Sequence, residues 1–187
     1  MSLRTVKRRR LECKTDYKLR FGLLKSSLPR IVIRRTNKYF IVQAVKSHEA
    51  QDKVIFGLTS KDLLSYGWDA KFAGSLKSIP AGYLTGYLVA KKLEKGKYII
   101  DLGMAVNKQA GRNSSVVAGL IDGGLDISVG KEFLPQKTAL SGETSKDGVK
   151  GIIEKTKSKI DSDSKSAPAG VSSTEQKKKV KTTKEKK

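Results

Sequence analysis

Positive charge gathered at one end is the feature that most constrains what this chain can fold into. The 187 residues include 39 Lys and Arg against 18 Asp and Glu, a formal net charge of +21. Residues 1–38 hold 13 of the basic residues and 2 of the acidic ones, so more than half of the excess lies in the first fifth of the chain. Like charge at this density opposes compaction and attracts polyanions. The core must therefore form further along, and the length allows one compact domain with some additional chain.

The residue inventory excludes several classes of protein. One cysteine, Cys13, cannot form an internal disulfide, and with one histidine, His48, it cannot supply a tetrahedral zinc site. The best apolar run, residues 79–90, is interrupted by Pro80 and is far shorter than the ~20 residues of a membrane span. The basic N-terminus lacks the apolar segment of a secretory signal. We therefore predict a soluble, intracellular protein that binds no membrane, metal or cofactor.

The first 25 residues are predicted to be a basic arm that binds nucleic acid. They hold too few spaced apolar residues for a stable amphipathic helix, so we expect them to be largely disordered when free. A solvated charged tail is the alternative. The arginines Arg4 and Arg8 to Arg10 favour nucleic acid, because guanidinium groups bind phosphate oxygens and stack on bases. Tyr17 adds an aromatic face for stacking on unpaired bases.

Residues 26–135 are predicted to form an α/β domain with a mixed sheet, an antiparallel meander plus a βαβ crossover, flanked by helices. The predicted strands are residues 30–35, 39–45, 53–58 and 98–101, with a turn at 36–38 between the first two. The first predicted helix spans 61–66 with Ser60 as its N-cap, and the second begins at 79 behind the N-cap Ser78 and stops at Gly96. The third spans 115–123, with Asn113 or Ser114 as its N-cap. Residues 136–160 are predicted to be an extension with a possible helix. Residues 161–187 are a Lys/Ser-rich, low-complexity tail, expected to be mostly solvated.

Catalytic chemistry has little support in the sequence. The spacing of Asp62, Asp101, Asp122 and Asp126 does not require a metal-dependent nuclease site, and Asp101 is better explained as a turn group at a strand end. His48 is predicted to lie in a loop. The segment 108–112 either binds a phosphate at a helix N-terminus or is an exposed loop. We predict no enzyme, with a metal-dependent RNA-processing enzyme and a general nucleic-acid compaction protein as alternatives.

Several motifs occur in the order found in one known family. They are Lys14-Thr-Asp-Tyr17-Lys-Leu-Arg20, Leu24-Lys25-Ser, Pro29-Arg30-Ile-Val-Ile-Arg34, Thr36-Asn37-Lys38, Gln43, Tyr66-Gly67-Trp68, Pro80-Ala-Gly-Tyr83-Leu84-Thr85-Gly86, Asp101-Leu-Gly103 and, more weakly, Ala118 to Leu125. Over residues 4 to 135 the chain resembles the archaeal and eukaryotic branch of the universal ribosomal protein L-eighteen family.

The resemblance implies a structural protein of the large ribosomal subunit in the cytoplasm. Such a protein binds 5S ribosomal RNA and helps attach it to the large-subunit RNA in the central protuberance, beside neighbouring ribosomal proteins and not as a homo-oligomer. The matched arm and first strand pair give the predicted RNA-binding residues: Arg4, Lys7, Arg8, Arg9, Arg10, Lys14, Tyr17, Lys18, Arg20, Lys25, Arg30, Arg34, Arg35, Asn37 and Lys38.

Overall fold

The computed structural model of the chain describes residues 7–49, 51–105, 109–142 and 149–166. The predictions made for Arg4, for Lys108 and for the tail beyond Ser166 lie outside these residues.

A four-stranded mixed sheet forms the centre of the molecule. Its strands are β1 (Arg30–Arg35), β2 (Phe40–His48), β3 (Gln51–Thr59) and β4 (Ile99–Asp101). The order across the sheet is β3-β2-β1-β4, with β1–β2 and β2–β3 antiparallel and β1–β4 parallel. The predicted meander and crossover are therefore confirmed. The turn between β1 and β2 is closed by Thr36, whose hydroxyl accepts from the Tyr39 amide at 3.0 Å.

The described parts of the chain hold six α-helices beside the sheet: α1 (Arg8–Leu11), α2 (Tyr17–Lys25), α3 (Ile79–Lys92), α4 (Arg112–Asp122), α5 (Lys137–Leu140) and α6 (Val149–Ser166). Short 3₁₀ helices span Ser60–Leu64, Ala70–Ser75 and Lys131–Phe133. The alternating apolar residues Ile31 and Ile33 of β1 pack with Val116, Val117 and Leu120 of α4 in one buried cluster. This alternation is what a strand covered on one face requires.

Helices α3 and α4 pack backbone against backbone. A Cβ atom on Gly86 would collide with the Val116 carbonyl, and one on Gly119 would collide with the Tyr83 carbonyl. Only hydrogen at these two positions lets the helices approach so closely.

The observed helix boundaries test the predicted caps. Ser78 caps α3 as predicted, its hydroxyl accepting from the Ala81 amide at 3.4 Å, although the helix ends at Lys92 and not at Gly96. The Ser60 cap is wrong: Thr59 is the N-cap, and the buried Ser60 hydroxyl instead accepts from the Phe40 amide and donates to the Leu76 carbonyl. The caps predicted for α4 are also wrong, because the helix starts earlier, at Arg112, behind Gly111.

The predicted disorder of the arm is corrected over residues 8–25, which contain α1 and α2. Asp16 is the reason α2 begins where it does, since its carboxylate accepts from the amides of Lys18 and Leu19 at 2.9 and 3.2 Å. Leu19 and Leu23 then line a cavity of about 360 Å³ together with residues of β4 and the following loops. Leu19 stays 46% exposed and no residue of α2 is buried, so the helix lies on the domain without entering its core.

Helix α6 crosses the predicted boundary at residue 160 and continues to Ser166. Ile153 and Ile160 are buried in the cluster that contains Tyr83, Tyr87 and Leu88 of α3. The Tyr87 hydroxyl donates to the Asp161 carboxylate at 2.6 Å, and the Lys157 ammonium lies 5.1 Å from the Tyr87 ring. The C-terminal extension is therefore packed against the domain as far as these contacts reach.

Candidate nucleic-acid interface

Basic side chains from α2, from the segment before it and from the end of β1 surround two cavities that share part of their walls. Arg9, Lys14, Arg20 and Arg34 line a cavity of about 150 Å³. Lys14 and Arg34 also line a second, of about 630 Å³, where Arg35 and Arg112 join them. Among the described residues no acidic side chain lines this second cavity. The fold therefore brings predicted residues that are 9 to 35 residues from the N-terminus into one positively charged surface.

The other predicted residues lie around this surface in different ways. Lys7 places its ammonium 4.6 Å from the centroid of the Tyr17 ring, so that cation and aromatic face already form a pair. Six further predicted residues are exposed and line neither cavity: Arg8, Arg10, Lys18, Lys25, Asn37 and Lys38. The side chain of Arg9 is held in place by a hydrogen bond, since its Nε donates to the Thr15 hydroxyl at 2.8 Å.

Arg30 differs from the other predicted residues that the structure describes because it is buried, with a side chain only 4% exposed. Its guanidinium donates to Asp52 at 2.7 Å, to the Ser47 hydroxyl at 2.9 Å and, at 3.4 Å, to Asp101. The structure thus does not present Arg30 to solvent with the other cations. A buried guanidinium needs such acceptors, because an unpaired charge in the interior is strongly unfavourable.

The two carboxylates that pair with Arg30 also form ion pairs with half-exposed arginines. A guanidinium nitrogen of Arg20 lies 3.5 Å from a carboxylate oxygen of Asp52, and one of Arg34 lies 3.0 Å from a carboxylate oxygen of Asp101. The alternating chain therefore runs Arg20, Asp52, Arg30, Asp101, Arg34, with a buried arginine in the middle and a half-exposed arginine at each end. It ties α2 to three strands of the sheet.

The charge of Asp52 is stabilised by these contacts. Burial alone raises the pKa of a carboxyl group, but the hydrogen bond from Ser47 and the charge and hydrogen bond of Arg30 outweigh it, so the pKa of Asp52 is lowered from its ordinary value. Asp52 therefore stays ionised and keeps its hold on both arginines at neutral pH.

Three of the four acids considered for catalysis have structural partners instead. Asp62 accepts from the Thr59 amide at 2.8 Å, and Asp122 accepts from the Tyr83 hydroxyl at 2.9 Å. Asp101 accepts from the Gly103 amide at 2.8 Å, which confirms its role in a turn at the end of a strand. His48 is exposed, but it is the last residue of β2, so the prediction that it lies in a loop is wrong by one residue. Within the described parts of the chain, no three metal-ligating side chains come together.

Comparison with known proteins decides the family. Residues 2–98 match the family model described as ribosomal large subunit proteins 60S L5 and 50S L18. The large ribosomal subunit protein uL18 of Korarchaeum cryptofilum is 42% identical over 139 residues, which is 73% of this chain and 69% of that protein. The chain belongs to this ribosomal protein family. The uL18 proteins of Methanoculleus marisnigri and Methanoregula boonei are 41% and 38% identical, over 72% and 73% of this chain and 77% and 78% of theirs.

Membership confirms the resemblance found in the motifs and makes this chain a structural constituent of the large ribosomal subunit, from a family of non-enzymes. None of the helices in the described residues combines the length and apolar character needed to cross a bilayer. The basic surface described above lies almost wholly within the matched residues 2–98; Arg112 is its outlying member.

Sequence reasoning missed the acidic part of this surface. Asp52 was not considered, and Asp101 was seen as a turn group without its arginine partners. One signal was present: Arg30 lies in a strand between apolar residues, and a basic residue at such a place needs an acidic partner elsewhere in the chain.

Proposed function

We propose that this protein binds 5S ribosomal RNA through the positively charged surface of α1, α2 and the β1–β2 hairpin, and so helps to attach that RNA to the large-subunit RNA. The supporting observation is the convergence of Arg9, Lys14, Arg20 and Arg34 around one cavity, with further cations exposed on the same elements. Guanidinium groups held at fixed separations suit the phosphates of a folded RNA.

Recognition is expected to depend on RNA shape and backbone more than on base sequence, because the deep groove of helical RNA hides its base edges from side chains. Tyr17, paired with Lys7, is a candidate for stacking on an unpaired base at the border of the surface. Neighbouring ribosomal proteins and the large-subunit RNA are the remaining partners in this proposal.

The test compares two triple variants of equal charge in the full chain. One changes Arg8, Arg9 and Arg10 to Gln; the matched control changes the exposed Lys71, Lys131 and Lys137, which lie on other elements, to Gln. We expect the arginine variant to lose about tenfold or more in affinity for 5S RNA at physiological salt, and the control to lose about threefold at most. Equal losses would show that only net charge matters.

Selectivity distinguishes this function from general nucleic-acid compaction. We expect 5S RNA to compete far better than duplex DNA or an unrelated RNA of the same length, at matched salt. A protein that compacts nucleic acids would bind all three with similar affinity, and that result would refute the proposal.

A further inference from the structure

An acid at the border of an RNA-binding surface should weaken binding, since its charge repels phosphate. Asp101 is such an acid: it lines the cavity that holds Arg9, Lys14, Arg20 and Arg34. Its side chain is only 12% exposed, so it faces the protein more than the solvent. The position needs an explanation other than surface charge.

The contacts of Arg34 supply that explanation. One terminal nitrogen of its guanidinium donates to the Asp101 carboxylate at 3.0 Å. The other donates to two backbone carbonyls, that of Asp101 at 2.8 Å and that of Ile33 at 3.0 Å. The group remains 43% exposed although three acceptors fix its plane. An arginine side chain otherwise loses considerable rotamer entropy when it binds a ligand.

Gly103 also helps to hold this guanidinium in place. Its amide donates to Asp101 at 2.8 Å, which holds the carboxylate in place. A Cβ atom at this position would lie 3.0 Å from the central carbon of the Arg34 guanidinium, closer than nearly all Cβ contacts allow. The backbone here also has a φ of +61°, which favours glycine. Asp101 and Gly103 together thus fit one orientation of Arg34.

We propose that Asp101 is a positioning residue for RNA binding, which holds the Arg34 guanidinium, against Gly103, in the orientation that meets an RNA phosphate. The inference rests on the proposed function and goes beyond it, because it assigns an acidic residue a favourable part in binding a polyanion. The energetic gain comes from an arginine that is ordered before the RNA arrives.

The sign of one substitution separates this role from simple electrostatics. Asp101→Ala removes a negative charge, so long-range attraction alone predicts tighter RNA binding. We expect the reverse, a rise in Kd for 5S RNA of about fivefold. Asp126→Ala is the matched control, since it removes an exposed acid that has no arginine partner among the described residues; it should leave Kd unchanged or slightly lower.

A double-mutant cycle tests whether Asp101 acts through Arg34. We expect Arg34→Ala to weaken binding and the added Asp101→Ala to have no further effect, so that the two losses are strongly non-additive. Additive losses, or a tighter complex for Asp101→Ala, would overturn the proposal. Urea unfolding of each variant shows that the compared proteins are folded.

Gly103→Ala keeps the proposal testable where Asp101→Ala unfolds the domain. It leaves every charge in place, its Cβ atom presses against the guanidinium, and the φ of +61° strains the turn that holds Asp101; we therefore expect Kd to rise about threefold, and again no further effect on the Arg34→Ala background. An unchanged Kd for this variant would also count against the proposal. If the wild-type protein shows no preference for 5S RNA, the proposed function fails, while the same cycle on any RNA that it does bind still decides the role of Asp101.

Discussion

At the scale of single residues, the basic side chains of β1 separate into two kinds. Arg30 is buried between Asp52 and Asp101, whereas Arg35, five positions later, is exposed and has no acidic partner among the described residues. In the sequence both are basic residues at the ends of one β-branched run. What distinguishes them is the presence of carboxylates 22 and 71 residues further along the chain, which only the folded sheet brings to Arg30.

We therefore predict that the same substitution affects mainly stability at Arg30 and mainly RNA affinity at Arg35. Arg30→Met should lower the free energy of unfolding by about 3 kcal/mol, because it leaves two carboxylates without their shared partner. Arg35→Met should change stability by less than about 0.5 kcal/mol and raise the Kd for 5S RNA several-fold. Urea unfolding and RNA titration of both variants give the four values. A stable Arg30→Met protein with weakened RNA binding would instead make Arg30 a direct contact.

At the scale of elements, the sequence predicted what local chemistry determines. β1 was located to the residue, since its β-branched run ends at a turn, and the cap of α3 follows from Ser78 in front of Pro80 at the helix start. The helix α2 was missed because its start depends on Asp16 and because its ion pair with the domain joins Arg20 to Asp52, 32 residues further along the chain. Leu19 and Phe21 stay exposed, so the helix lacks the buried apolar face by which a sequence pattern reveals a helix.

Helix α6 shows how a late element is attached by polar contacts that depend on pH. Burial and the hydrogen bond to Asp161 raise the pKa of Tyr87 to about 12, and burial with the hydrogen bond to Asp122 raises the pKa of Tyr83 as well. Both shifts favour the neutral phenol. Their contribution to stability is thus fully present below about pH 10, the ordinary value, and is lost as the pH rises through the folded-state pKa.

We predict that the stability difference between the wild type and Tyr87→Phe shrinks between pH 10 and 12. The substitution should cost about 1–2 kcal/mol at pH 8.5, where the hydrogen bond to Asp161 is intact. Lys91 and Lys157 also face this ring, but they are present in both proteins, so the difference isolates the phenol. A constant difference for Tyr87→Phe in urea unfolding would contradict the assigned role.

At the scale of the whole molecule, the distribution of charge matters more to the proposed function than its total. Residues 167–187 carry a net charge of +5, yet they lie beyond the last residue of α6. The arginines 8 to 10 carry +3, but they are adjacent to the surface that the fold assembles around Arg34. Attraction by net charge alone ranks residues 167–187 above these three arginines, and recognition by a shaped surface ranks the three arginines above residues 167–187.

Salt dependence of RNA binding tests this ranking. If the surface neutralises about eight phosphates, log Kd should vary with log salt with a slope of magnitude roughly 6 to 7. Changing Arg8, Arg9 and Arg10 to Gln should lower that magnitude by about 2 to 3, since each direct contact contributes 0.7 to 0.9. Deletion of residues 167–187, placed after α6 so that the packed helix stays whole, should lower it by less than about 1 despite removing more charge. A larger change from the deletion than from the arginine variant would mean that residues 167–187 contribute more phosphate contacts than these three arginines, because the slope counts the phosphates neutralised and not the charges a chain carries.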